Sequence, residues 1–239
     1  MITDRSIIIS PHSDDAILSV GGRILVNPEQ EQFSVLNSFS TCAFTIIPGL
    51  TDVEKITQMN NAEELNALGS IGVSVEFMHL PEVLLRGYKR WDMPPEYPKD
   101  DKVRKTIRLR IMSLAKDTNR FYFPLGIGNH TDHLLVTDTA IDLFQRKILV
   151  GKELFFYEDL PYSFEKGGAD KRALKVEKAL GKKLEEKSLD ISSQINKKLE
   201  LIMMYKSQYD KEYVQKVKDY SERLSEKKGK FVERLWGLS

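Results

Sequence analysis

The stretch Arg5-Ser6-Ile7-Ile8-Ile9-Ser10-Pro11-His12-Ser13-Asp14-Asp15 decides how this chain is read. Its first six residues form a short apolar run of the kind used by a buried strand. A histidine and two adjacent aspartates follow, at the turn into a helical pattern over about 16–26, where Gly21-Gly22 allow close backbone packing. The same order recurs about half the chain later. Phe121-Tyr122-Phe123 precedes Gly128-Asn129-His130-Thr131-Asp132-His133, which opens a helix over about 133–147. Three of the four histidines lie in these two clusters.

Between and beyond the clusters, strand and helix patterns alternate. Phe33–Ala43 reads as a second strand. Thr51-Asp52 then supplies an N-cap for a helix reaching about Ile71, with apolar positions at Ile56, Met59, Leu65 and Leu68. Gly72 ends that helix and Val73–Leu80 reads as a third strand; a basic helix over about 101–118 and strands at Phe121–Leu125 and Glu153–Tyr157 follow. This alternation predicts an α/β fold, a Rossmann-like, mostly parallel sheet with helices on both faces. Past residue 165 Lys and Glu dominate, with apolar rhythms at Leu174, Val176 and Leu180 and at Ile195, Leu199, Ile202 and Met203. The expectation is one domain over 1–239, with an α/β core over about 1–165 and an α-rich C-terminal extension over about 166–239. Ser188–Ile191 is a strand-like link in that extension, and the charged run Lys211–Lys230 a solvated helix face.

Composition narrows the function class. Lys plus Arg number 36 against 35 Asp plus Glu, so no net field favours nucleic acid or an anionic membrane. One cysteine, Cys42, excludes internal disulfides and multi-cysteine metal sites and fits a reducing compartment. The start Met1-Ile2-Thr3-Asp4-Arg5-Ser6 lacks the pattern of a signal peptide. No stretch approaches the roughly 20 apolar residues of a membrane span. The expectation is a soluble cytoplasmic protein.

The two clusters carry the chemistry. In an open parallel sheet ligands bind at the carboxyl ends of the strands, where both clusters fall. Together they offer two histidines and a carboxylate for a divalent metal, with a spare carboxylate as general base. Adjacent Asp14 and Asp15 diverge, so one can bind metal while the other points toward substrate. His130 and His133, three apart at a helix start, lie on roughly one side, and Asp132 between them could fix the tautomer of an imidazole. The plainer reading of Asp14-Asp15 is a pair of N-capping residues.

These residues closely resemble the PIG-L/LmbE-like family of zinc-dependent N-acetylglucosaminyl de-N-acetylases, whose hallmarks are His-Pro-Asp-Asp-Glu after the first strand and a later His-x-Asp-His. The chain has His12-Ser13-Asp14-Asp15-Ala16 and His130-Thr131-Asp132-His133. Glu64–Gly72, Tyr157-Glu158-Asp159-Leu160-Pro161-Tyr162 and Tyr205-Lys206-Ser207-Gln208 look like further family blocks. The resemblance implies that His12, Asp15 and His133 bind Zn²⁺, with Fe²⁺ suited to the same donors. It implies that Asp14 is the general base on the metal-bound water, and that His130, oriented by Asp132, stabilises the oxyanion or assists the leaving amine. The reaction implied is removal of an N-acetyl group from an amino-sugar-containing small molecule or glycoconjugate.

The departures are Ser13 and Ala16 in the first motif, Asn61 where many members carry an arginine, and Gly128 where some carry a tyrosine. Residues 81–100, with Pro81, Pro94, Pro95 and Pro98, read as a long irregular segment, more often functional than accidental. In it Glu82, Arg86 and Trp91 are candidate substrate contacts, since a tryptophan face and an arginine suit a decorated sugar ring; Trp91 could equally pack the loop. Two other readings compete. One is a non-catalytic sugar-binding or scaffolding homologue. The other is a metallophosphoesterase, suggested by Gly128-Asn129-His130 but short of ligands, because His79 sits in an apolar, strand-like setting. The sequence names neither the acylated substrate nor the oligomeric state.

Overall fold

A computed structural model describes residues 4–26, 31–96, 99–165, 167–225 and 227–238. Pro98 and position 166 of the segments read above lie outside the described residues. Seven strands form one sheet: β1 (Asp4–Ser10), β2 (Glu31–Asn37), β3 (Ser74–Phe77), β4 (Arg120–Pro124), β5 (Glu153–Tyr157), β6 (Leu184–Asp190) and β7 (Val232–Leu238). Their order is β3-β2-β1-β4-β5-β7-β6. The first five run parallel, while β7 joins β5 and β6 antiparallel. The helices are α1 (Asp15–Val26), α2 (Val53–Gly69), α3 (Asp101–Leu114), α4 (Thr131–Gln145), α5 (Gly168–Leu180), α6 (Ile195–Ile202) and α7 (Lys211–Ser225).

Strand alternation divides the apolar side chains between two faces. Ile7, Ile9, Phe121 and Phe123 meet residues of α3, α4 and α5, including Ile107, Leu135 and Val176. Ile8, Val35 and Tyr122 point the other way, to residues of α1, α2, α6 and α7 such as Ile17, Leu68, Ile202 and Val217. The expected mostly parallel sheet with helices on both faces is what forms. Asp52 caps α2 as its sequence suggests, its carboxylate accepting from the amides of Glu54 (3.0 Å) and Lys55 (3.2 Å).

Some elements are shorter than their patterns. The second strand stops at Asn37 rather than Ala43, although the amides of Ser38 and Phe39 still reach the carbonyls of Ser10 (2.9 Å) and Pro11 (2.8 Å). The third stops at Phe77 and the basic helix at Leu114. Beyond residue 165 the chain is helix-rich as expected, but it also adds two strands to the main sheet. Residues 188–190 of the strand-like link lie in β6, whose polar run Leu-Glu-Glu-Lys-Ser-Leu-Asp suits an exposed edge. Strand β7 was not anticipated.

The topology fixes where a site can form. From β1 the connections run outward through β2 and β3 on one side; on the other they run from β4 to β5. The order therefore reverses between β1 and β4, leaving a crevice beyond their carboxyl ends. His12 follows β1 and His130 follows β4, so both clusters open onto it.

Candidate metal centre and active site

The first cluster is shaped by a tight turn. Asp15, the first residue of α1, reaches back so that its Oδ2 accepts from the His12 amide at 2.8 Å. Asp14 lies just before the helix and its carbonyl accepts from the Leu18 amide at 3.0 Å. The two carboxylates diverge as expected: that of Asp14 accepts from the Tyr209 hydroxyl, while that of Asp15 faces the imidazoles.

The second cluster is shaped by left-handed backbone. Gly126, Gly128 and Asn129 have φ of 79°, 76° and 62°, which turns the chain sharply from β4 into α4. The Asp159 Oδ2 accepts from the amides of Gly126 (2.8 Å) and Ile127 (3.0 Å), anchoring this turn. His130 is the N-cap of α4, its Nδ1 accepting from the Asp132 amide at 3.2 Å. A Cβ at Gly128 would come within 2.5 Å of Cγ of Tyr162. Where some family members carry a tyrosine, this chain has a glycine against which another tyrosine ring packs.

The fold brings the three histidines together, with ring centroids 4.8–5.2 Å apart. His12 Nδ1 and His133 Nε2 each lie 3.5 Å from Oδ2 of Asp15. Ligand atoms held at about 2.0–2.2 Å by one tetrahedral ion are roughly 3.5 Å apart, so His12, Asp15 and His133 fit a divalent metal. The outer nitrogens support the same assignment. His12 Nε2 meets Oδ2 of Asp132 at 3.0 Å and His133 Nδ1 meets Oδ1 of Asp159 at 2.6 Å. Each carboxylate takes the ring N–H and leaves the other nitrogen's lone pair facing the cluster, the second-sphere arrangement of metal-binding histidines. A rival group of His12, His130 and Asp132 is also close enough to hold an ion. Its donors are already spent: Asp132 Oδ1 accepts from Arg86, Oδ2 also accepts from the Val83 amide, and His130 Nδ1 is occupied by its cap bond.

Charge is distributed unevenly over these groups. Burial opposes a proton on His12, but Asp132 and Asp15 outweigh it and hold its pKa well above the usual imidazole value. Burial and the imidazoles of His12 and His133 hold His130 well below that value, so its ring stays neutral. With Nδ1 accepting a bond, neutral His130 carries its proton on Nε2. Burial, then the adjacent Asp15, pushes the Asp14 carboxyl up to about 6.

Several expectations change. Asp132 does not orient His130 through its carboxylate, which holds His12; only its amide reaches His130. Arg86 is not free for substrate. Its guanidinium is buried and donates to Asp132 (2.6 Å), Asp100 (3.0 Å) and the Pro81 carbonyl (2.9 Å), because two buried carboxylates claim it. Glu82 lines the cavity above the cluster, but its Oε1 accepts from the Ala43 amide at 2.8 Å. Trp91 packs its segment against the cluster, the plainer of the two roles foreseen for it, and it also lines the cavity. It stacks on His130 at 5.5 Å and 20° while its carbonyl accepts from Thr131. The described residues of 81–100 are mostly irregular apart from a 3-10 turn at Leu84–Arg86. Asp159 and Tyr209 have roles in this site that the sequence did not reveal.

A largely buried set of two imidazoles and a carboxylate with unspent lone pairs, a second carboxylate beside it and a neutral imidazole donor is the equipment of a metal-assisted hydrolase. Residues 7–144 match the family PIG-L, GlcNAc-PI de-N-acetylase. The chain belongs to this family of hydrolytic N-deacetylases. It is 26% identical over 227 residues to 2'-N-acetylparomamine deacetylase of Streptomyces fradiae, covering 92% of this chain and 78% of that protein. The crystal structure of a deacetylase–bog complex from the teicoplanin biosynthesis pathway superposes with a TM-score of 0.76 at 21% identity, over 98% of both chains. A 4-carboxy-2-hydroxymuconate hydratase from Pseudomonas putida shares the fold at a TM-score of 0.62 and 16% identity, over 98% of this chain and 96% of the other. The architecture thus also serves a different chemistry, and activity has to be argued from the site.

Proposed function

We propose that the chain, as one deacetylase unit over its whole length, hydrolyses the N-acetyl group of an amino-sugar-containing small molecule. The observation that carries this reading is the spare carboxylate. Asp14 lies beside the His12–Asp15–His133 donor set without belonging to it, and its pKa of about 6 suits a base working near neutral pH. The family match and the 2'-N-acetylparomamine deacetylase relative support the substrate class.

His12, Asp15 and His133 would hold the cation, with zinc proposed and Fe²⁺ the alternative for the same donors. When bound, such a cation supplies a Lewis acid for an amide carbonyl and lowers the pKa of water. Asp14 takes a proton from the attacking water while Tyr209 fixes its carboxylate. The new C–O bond makes a tetrahedral centre, and the Nε2–H of neutral His130 donates to its oxygen. Asp14 then returns its proton to the nitrogen as the C–N bond breaks, and the remaining hydroxyl proton passes to the amine, giving acetate and a protonated amine. Asp132 and Asp159 hold the two ligand imidazoles, and Arg86 holds Asp132.

Acetate release should be measured over a panel of N-acetylated amino sugars and aminoglycoside fragments, with metal content determined on the same protein. Turnover of at least one compound by protein carrying one divalent ion per chain is expected. Metal-free protein with full turnover would remove the cation from the reaction, and metal-loaded protein that cleaves nothing would favour a binding role.

A further inference from the structure

The polar floor of the crevice lies in a cavity of about 650 Å³, a size typical of sites that take whole drug-sized ligands. Its lip is apolar. Of the ten large hydrophobic side chains exposed among the described residues, six come from the two segments 44–47 and 84–91. Four of these, Phe44, Ile46, Leu84 and Trp91, line the cavity itself. Singly exposed apolar residues are ordinary, whereas a group gathered at the rim of a cavity marks a binding surface.

The exposure is built into the backbone. The Ile46 amide donates to the Ser207 carbonyl at 2.8 Å, the Thr45 hydroxyl to the same carbonyl at 2.9 Å, and Asn60 to the Phe44 carbonyl at 3.2 Å. The two segments are also tied to each other. Glu82 accepts from the Ala43 amide, and its own amide donates to the Thr41 carbonyl at 3.0 Å. A backbone so fully bonded holds Phe44 (56% exposed) and Ile46 (43%) outward at the mouth. Among the described residues that line the cavity the one lysine or arginine, Lys216, pairs with Glu212 at 2.8 Å; of the exposed cations beside Trp91, Arg90 pairs with Asp92, and neither Arg90 nor Lys89 lines the cavity. That argues against an anionic lipid surface and for a soluble ligand.

Resting on the deacetylase reading, we propose that the substrate is an amphiphilic glycoside, its N-acetyl sugar on the polar floor and an apolar aglycone against Phe44, Ile46 and Leu84. A free amino sugar would leave the lip bare.

The test compares methyl, butyl, hexyl and phenyl β-glycosides of N-acetylglucosamine, all below their micellar concentrations. KM is expected to fall at least tenfold from methyl to hexyl, with phenyl showing whether the lip also accepts a flat aglycone. The double variant Phe44→Ser/Ile46→Ser should flatten the series while keeping kcat/KM for the methyl glycoside within about twofold. A series that is flat in the wild type, or that survives in the double variant, overturns the proposal. If no glycoside is hydrolysed, the broader acetate-release panel decides the deacetylase reading, and quenching of tryptophan fluorescence by hexyl and methyl glucoside decides the lip separately. Tighter hexyl binding, lost in the double variant, supports the proposal; equal binding overturns it. Co-sedimentation with phosphatidylcholine vesicles together with a flat glycoside series would assign the lip to a membrane instead.

Discussion

Two clusters of buried charge teach opposite lessons. On the α1 side of the sheet, Lys198 donates to Oε1 of Glu233 at 2.6 Å, and the same carboxylate accepts from the amides of Gly22 (2.6 Å) and Arg23 (2.7 Å). Only glycine permits that approach, since a Cβ at Gly22 would lie 2.6 Å from Ile191 and 2.8 Å from the carboxylate. The pair is closed: its charges are answered and nothing is left to offer a ligand. At the crevice, Asp15 and His133 are comparably buried and His12 is partly exposed, yet their bonds point outward to Asp132, Asp159 and the turn, leaving lone pairs facing one another. Burial of charge does not make a site; unspent donor capacity does.

The comparison is broken most directly by removing a ligand. His133→Ala should abolish stoichiometric zinc binding, measured by elemental analysis after dialysis, and reduce acetate release to background. Retained metal would mean that the rival group around His130 and Asp132 holds it. Next in size, Asp14→Asn should keep the metal and lower kcat by about 10²–10⁴, the span of general base catalysis. Near-normal turnover in that variant would remove Asp14 from the base role.

The closed pair should fail in another currency. Lys198→Met leaves the buried Glu233 charge with two backbone amides and no countercharge and should cost roughly 3–5 kcal/mol of stability, read from chemical denaturation. Metal content and kcat of the folded fraction should not change. Loss of metal in Lys198→Met would show that the two clusters are coupled through α1.

Legibility follows the same division. The candidate metal donors could be read from the chain because each sits in a short cluster directly after an apolar strand, so local sequence already suggests both the chemistry and the address. The role of Asp159 could not. Its block, Tyr157–Tyr162, resembles a family block, but it stands 26 residues after His133 and nothing local says that its carboxylate reaches that ring. Tyr209 reaches Asp14 across 195 positions, a contact that exists only once the C-terminal segment has folded back over the crevice. Arg86 misled for a related reason. An arginine in an irregular, proline-rich segment looks available, and only tertiary structure brings Asp100 and Asp132 to it. The parallel sheet showed through its alternation of strand and helix. Strand β7 did not, because Val-Glu-Arg-Leu-Trp-Gly-Leu follows a charged helix and pairs with β5, which is distant in sequence.

The smallest expected effect probes the border between open and closed. Asp159 serves both kinds of order, Oδ1 holding the His133 ring and Oδ2 holding the amides of Gly126 and Ile127. In Asp159→Asn the amide oxygen can accept from the ring or from the two backbone N–H groups, but not from both. Either choice turns an NH₂ group toward a donor. If the oxygen keeps the turn, His133 loses its acceptor and with it the fixed tautomer that aims Nε2 at Asp15. Zinc affinity should then fall about 10- to 100-fold, the usual cost of losing a carboxylate behind a metal-binding histidine, as measured by competition with a chromophoric chelator. If the oxygen keeps the ring, affinity should change little and the turn should loosen, which hydrogen exchange at Gly126 and Ile127 would register. Unchanged affinity together with unchanged exchange would mean that helix α4 alone sets the His133 ring, and that Asp159 belongs with Glu233 among the closed charges.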